Sequence, residues 1–406
     1  VSLRQLKFSS EGMSLTLGHA ELDWSPLQLL SGVLQLDRVV VEDLHYRPGE
    51  TAAPAEPGPA ALPERIVLPI AVNLEQLGVR NLAFDAASGA EAFLVQEGNA
   101  SLNYRGKALT IRQLSVLSPQ FRIRAEARIE TAGDYPLDAV LDWKLSPPDY
   151  AAIEGHSRLS GTLKRLLLAQ TFNEAYPVAG ELVITDLLEG PTLSASIKVD
   201  GLALATINKD LPALTLQADL RAEGQIDALA LSGSLDVDGE PLPPVHADLS
   251  ARLLSNSIEL ELLRLTSAAH ETEVRLSGPL HFGGDGTGFD LRANWSRARW
   301  PLDGAAQVES PEGQLHLSGT PDDYLVDSQM TLAAPGHTSA KLSLHGKGTQ
   351  KALQVSALNV DVLNGQLQGS ARIAWQPRLE TSVALTGKAL DPGVILAEWP
   401  GQLDVQ

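Results

Sequence analysis

The sequence contains no cysteine. That excludes disulfides, thiolate metal sites and cysteine nucleophiles together, and it is compatible with an oxidising compartment. Rings are scarce: aromatic residues make up 5% of a chain that is 44% hydrophobic. The apolar content is therefore mostly Leu, Val, Ile and Ala, and a compact core built on large side chains is disfavoured. No stretch reaches the roughly 18 consecutive apolar residues that a bilayer-spanning helix needs. The chain opens at Val1 without a Met, signal peptide or anchor, so it reads as a piece of a longer protein whose membrane segment lies outside it. Positive charge is in deficit, with 31 Lys and Arg against 50 Asp and Glu, a net charge of −19. Such a surface repels phosphate backbones and anionic headgroups, which argues against nucleic-acid partners and against lying flat on an acidic membrane.

Chemistry-bearing constellations are missing too. The nine histidines (His19, His45, His156, His246, His270, His281, His316, His337 and His345) include no pair at the i, i+4 spacing of a helical zinc motif. "GHSRL" (155–159) starts like a nucleophile elbow but has Leu159 where the second glycine belongs. "GGDGTG" (283–288) resembles a phosphate loop only by its glycines, without the Lys-Ser/Thr ending; it reads as a mobile turn. Asp322-Asp323 follows Pro321 in a turn, where Asp bonds its own backbone. The expectation is a protein that is not an enzyme and carries no cofactor and no metal.

What the sequence does contain is one strand phrase, written repeatedly. In "GQLHLSGTPDDYLVDSQMTL" (313–332), Leu315 and Leu317 point one way while His316 and Ser318 point the other. After the turn, Tyr324, Val326, Met330 and Leu332 resume the period of two. Leu159-Ser160-Gly161, Leu231-Ser232-Gly233 and Leu276-Ser277-Gly278 repeat the Leu317-Ser318-Gly319 phrase, each read as a strand ending on a glycine free to take positive φ. "LTIRQLSVL" (109–117), "FRIRAEARI" (121–129) and "LQVSALNVDVL" (353–363) alternate in the same way. At roughly ten residues per strand and turn, the chain holds on the order of forty strands; in a single row about 4.8 Å apart they would reach on the order of 190 Å.

Helical signals are few. "LKRLLLAQTFNEA" (163–175) fits a helix of about three turns, although its Leu166-Leu167-Leu168 run fits a strand nearly as well. "DPGVILAEWPG" (391–401) offers Asp391 as N-cap and Pro392 in the first turn, and reads as a short helix near the C-terminal end. The Pro- and Ala-rich stretch 47–64 reads as a loop. Neither it nor 283–288 separates blocks of different composition, so 1–406 reads as one continuous elongated β array. Alternating apolar residues usually form the inner face of a closed β core; a helical cover or an open trough are the other ways to treat them.

Two stretches carry a family resemblance: "RANWSRARWPLDGAAQVESPEGQLHLSGTPDDYLVD" (292–327) and "GQLQGSARIAWQPRLETSVALTGKALDPGVILAEWPGQLD" (365–404). Trp295, Trp300-Pro301-Leu302, the strand running into Asp323-Tyr324, Trp375, and the phrases Leu390-Asp391-Pro392-Gly393 and Glu398-Trp399-Pro400-Gly401 resemble the TamB family of the AsmA-like, bridge-like lipid-transfer group. The first fifty residues are similar in pattern only, and 100–290 fits loosely.

The resemblance implies a fold: all-β, an elongated, mainly antiparallel sheet curled into a β-taco trough with an apolar interior and one or two short helices. It implies a periplasmic section of a protein anchored in the inner membrane of a Gram-negative bacterium. That section would conduct phospholipid acyl chains between inner and outer membranes and so support outer-membrane biogenesis. The alternative is a chaperone scaffold that inserts outer-membrane β-barrel proteins or autotransporters together with TamA, an outer-membrane barrel met through a domain absent from this piece. The resemblance supplies no active-site motif. On the trough reading the lining residues are Leu315, Leu317, Val326, Met330, Leu342, Leu344, Val355, Val360, Leu367 and Ile373.

Overall fold

The computed structural model describes the chain apart from residues 11–12, 49–64, 86–92, 148–151, 209, 241, 284–285, 303, 335–337, 377, 396–397, 400 and 406. The described residues form 25 strands, most of them 8 to 16 residues long. That is fewer than forty because a strand with its connection takes more than ten residues here. Residue contacts divide the chain into two units, 1–202 and 210–406, with the boundary at 203–209.

The first unit is a meander. It starts with Ser2–Ser10, Met13–Trp24 and Val33–Pro48, which pair in order. Val33–Pro48 then pairs in parallel with Ala71–Phe84, so both strands start at the same end of the sheet. From Ala71–Phe84 to Thr192–Ala203 every strand is antiparallel to the one before it. The second unit is a plain antiparallel meander from Thr215–Gln225 to Leu403–Val405. Among the described pairings none returns from the last strand of either unit to its first, so each sheet is open and not a barrel.

Among the described residues, helical structure is limited to short pieces: the 3-10 turn Pro26–Ser31, the four residues Leu204–Ile207, and the 3-10 turn Pro392–Val394. The last is all that is described of the helix read over 391–401; Asp391 caps it by accepting a hydrogen bond from the Gly393 amide at 2.9 Å. The 163–175 segment resolves as the strand Arg165–Phe172, in which Leu166 and Leu168 share a face and Leu167 takes the other. Residues 49–64 of the Pro- and Ala-rich stretch, and 284–285 of the glycine turn, lie outside the described residues. Pro321 and Asp322 form the two-residue turn between Val308–Thr320 and Asp323–Leu332, as read.

Two of the four Leu-Ser-Gly phrases are not strand ends. Gly233 lies inside Ala228–Gly239 and Gly278 inside Thr272–Gly283, at φ +156 and +133. A Cβ at Gly233 would fall 2.1 Å from the Asp219 carbonyl oxygen, and one at Gly278 1.9 Å from that of Asp290. These glycines let a neighbouring backbone approach while the strand bends and continues.

Among the described residues no large side chain is fully buried, and the chain exposes 25,789 Å². A compact monomer of 43.2 kDa would expose roughly 15,000 Å². The closed core that alternation usually signals is therefore not what these strands build.

Candidate functional site

Register sorts the side chains of the second unit by chemistry. Paired residues on neighbouring strands point to the same face. One row crosses twelve strands without a polar residue: Ala218, Leu235, Ala247, Leu265, Val274, Trp295, Gly313, Met330, Leu342, Val360, Leu367 and Gly387. At about 4.8 Å per strand this row is on the order of 50 Å long. The first unit has its own: Leu36, Leu74, Leu102, Ile111, Ala127, Ala139, Leu159, Leu168, Leu182 and Ala195.

All ten residues singled out from the sequence fall on the second unit's apolar face. Leu317, Val326 and Val355 are linked through Gly346. Leu315 and Leu344 are linked through Ser328. Met330, Leu342, Val360 and Leu367 belong to the long row, and Ile373 pairs with Leu353 two positions along from Val355. Val326 and Val355 are buried, at 6% and 4% exposure; the other eight are half-buried. Neighbouring strands shield these side chains laterally.

Several polar groups on this face are hydrogen-bonded in place, although the buried Ser267 hydroxyl, two positions along from Leu265, is not. The Trp295 indole N–H donates to Ser310 Oγ at 2.8 Å, and Ser328 Oγ donates to the Gln314 carbonyl at 2.9 Å. In the first unit Trp143 donates to Ser157 Oγ at 3.0 Å. Each indole also lies over a cross-strand glycine: a Cβ at Gly313 would fall 2.1 Å from the Trp295 ring, and one at Gly155 2.4 Å from that of Trp143. The rings thus cover bare backbone instead of standing out from the face.

The opposite face is polar and mixed in charge. Arg275, Asn294, Gln314, Gln329, Ser343, Asn359 and Gln368 form one row on it. Open hollows of about 450 and 720 Å³ lie between such side chains. His316 and His345 sit on this face, as read, but each is paired across strands, His316 with Asp290 at 2.8 Å and His345 with Asp327. The same arrangement recurs at His156 with Asp142 and His45 with Asp85, both at 2.8 Å, and at His246 with Asp236 at 2.7 Å. Only register brings these pairs together, so they carry no signal in the linear sequence.

The ten residues drawn from the sequence all come from the second unit, and the first unit's apolar face was missed. It carries a concavity of about 430 Å³ lined by Leu77, Val79, Leu82, Phe84, Phe93, Val95, Leu114, Val116, Phe121 and Ile123. The signal was present in the alternation of 109–117 and 121–129. Among the described residues no helix is long and apolar enough to cross a membrane.

The family described as TamB, N-terminal domain, matches the chain over residues 46–282 and again over 266–406.

Proposed function

Because the chain belongs to the TamB family over nearly its whole length, we propose that its apolar face is a binding and conducting surface for phospholipid acyl chains, in a periplasmic section of an inner-membrane-anchored protein that supplies lipid to the outer membrane. The observation that supports this is the twelve-strand row of the second unit, which no polar side chain interrupts. Carrying an alkyl chain through water costs about 0.8 kcal/mol per CH₂, on the order of 12 kcal/mol for sixteen carbons. A surface of half-buried aliphatic residues lowers that barrier at every step. It binds without charge recognition, cofactor or catalysis, because an alkyl chain offers nothing for a polar group to recognise. The acidic balance of the chain keeps its exposed strands from associating side by side.

The test is a pair of charges on the face. Leu317→Asp combined with Val355→Asp puts carboxylates on both sides of Val326 in one row, on the next strand in one direction and beyond Gly346 in the other. Lipid passage is expected to fall at least tenfold while the strand content measured by circular dichroism is retained. Unchanged transfer by the folded double variant overturns the proposal.

The alternative reading is a chaperone that hands outer-membrane strands to a TamA-like barrel. A photo-crosslinker at Leu342, in the twelve-strand row, separates the two: polypeptide adducts support the chaperone, and lipid adducts support conduction.

A further inference from the structure

The two rims of the first unit's apolar face differ, and the difference says where an acyl chain can cross; the inference rests on the acyl-chain reading above. At one rim the chain itself lies across the strand ends. The Ile66 amide donates to the Thr131 carbonyl at 2.8 Å, and the Ile66 carbonyl accepts from Tyr104 OH and Thr131 Oγ1, both at 2.7 Å. Tyr104 is on the apolar face, in register with Val72 and Leu109, and is 5% exposed. From this knot at the end of Phe121–Glu130 the chain runs back to Ala71, whose amide donates to the Gly32 carbonyl at 2.9 Å. Residues 66–70 therefore strap the ends of the strands that lie between.

At the other rim stands a row of rings. Tyr46, Phe84, Phe93 and Phe121 lie at or near the ends of their strands on the same face, with successive centroids 6.4, 6.3 and 5.5 Å apart. These separations are those of interacting rings. Phe84 and Phe93 keep 37% and 50% of their surface accessible. In a chain with only seven Phe, three are side by side at this rim and open onto the 430 Å³ concavity. An accessible aromatic row is a rigid apolar ledge that loses little side-chain entropy when an alkyl chain lies on it. At the strapped rim the backbone and hydroxyl groups are already engaged with one another, and the exposed Ile66, Val67 and Leu68 of the strap are separate aliphatic side chains and not a row of stacked rings.

We propose that acyl chains enter and leave the first unit over the ring-bearing rim, with Phe84, Phe93 and Phe121 as the positioning residues of a lateral port. The test places a photo-crosslinking amino acid at Phe93, at Ile66 or at Val355 in the full-length protein in cells and measures labelled phospholipid adducts. Adducts at Phe93 at least tenfold above those at Ile66, with Val355 also labelled, are the expected result. Labelling at Val355 with Phe93 no higher than Ile66 overturns the port and leaves the conduction reading standing. No lipid adduct at any of the three overturns both, and polypeptide adducts at Phe93 overturn the port in favour of a protein ligand. A second measurement uses the triple change Phe84→Leu, Phe93→Leu and Phe121→Leu, which keeps the rim apolar and folded. A fall in transfer of at least threefold, with adducts at Val355 retained, is expected; an unchanged rate overturns the role of the rings.

Discussion

His246 stands between two carboxylates on the polar face, 2.7 Å from Asp236 and 3.2 Å from Asp248. The hydrogen bond it donates to Asp236 raises its pKa above the ordinary 6.5, burial acts in the opposite direction, and Asp248 adds to the rise. A group whose folded pKa is raised contributes stability that is complete below its unfolded value and is lost as pH rises through the folded one. The site is well exposed, so water and salt screen the contribution and the measurable quantity is the titration itself. In a histidine-resolved NMR titration His246 is expected to titrate above 6.5, and Asp236→Asn to move it down; a midpoint that ignores the substitution overturns the assignment. Asp85 runs the other way. Hydrogen bonds from His45 first, and from Arg47, hold its carboxyl below the usual range, so its contribution is present at neutral pH and lost as pH falls through the folded value.

At the scale of the strand, period two does most of the work, and it is legible. Once 313–332 is read as two strands, the faces of Leu315, Leu317, Val326 and Met330 follow from geometry, and register then joins them to Leu342, Val360 and Leu367. Long-range approach is not legible. Gly278 reads locally as a strand end because the carbonyl that forbids its Cβ belongs to Asp290, on the next strand. The ring row of the first unit hides for the same reason: Phe84, Phe93 and Phe121 are far apart in sequence and become neighbours only through pairing. The Gly278 geometry makes a prediction. Gly278→Ala must open the sheet at that rung or push Asp290 away, a change of the overpacking kind that costs roughly 1–3 kcal/mol. Chemical denaturation is expected to show this loss, whereas Gly190→Ala, at a position with nothing within 4 Å, should cost less even though its φ of +117 is also positive. Equal costs at the two positions would mean that backbone conformation alone, and not the close approach, makes Gly278 necessary.

For the whole molecule the decisive quantity is how much apolar surface folding removes from water. Unfolding a compact protein raises the heat capacity by about 12–15 cal/mol/K per residue, because buried apolar groups become hydrated. For 406 residues that is on the order of 5–6 kcal/mol/K. Here the apolar faces are built from half-buried residues, and 25,789 Å² is already exposed in the folded state, so less new surface appears on unfolding. Each strand also contacts chiefly the strand before and the strand after it, as in repeat arrays whose stability is nearly a sum of neighbour terms. Scanning calorimetry on delipidated protein is therefore expected to give a heat-capacity change well below the compact value, in more than one transition. Saturating it with phospholipid should stabilise the folded state in proportion to occupancy. It should also raise the heat-capacity change if unfolding releases the alkyl chains into water. A single sharp transition with the full compact value would mean that the leucines and valines of the two faces are sealed in solution. In that case neither the conducting face nor its ringed rim could work, however continuous the twelve-strand row.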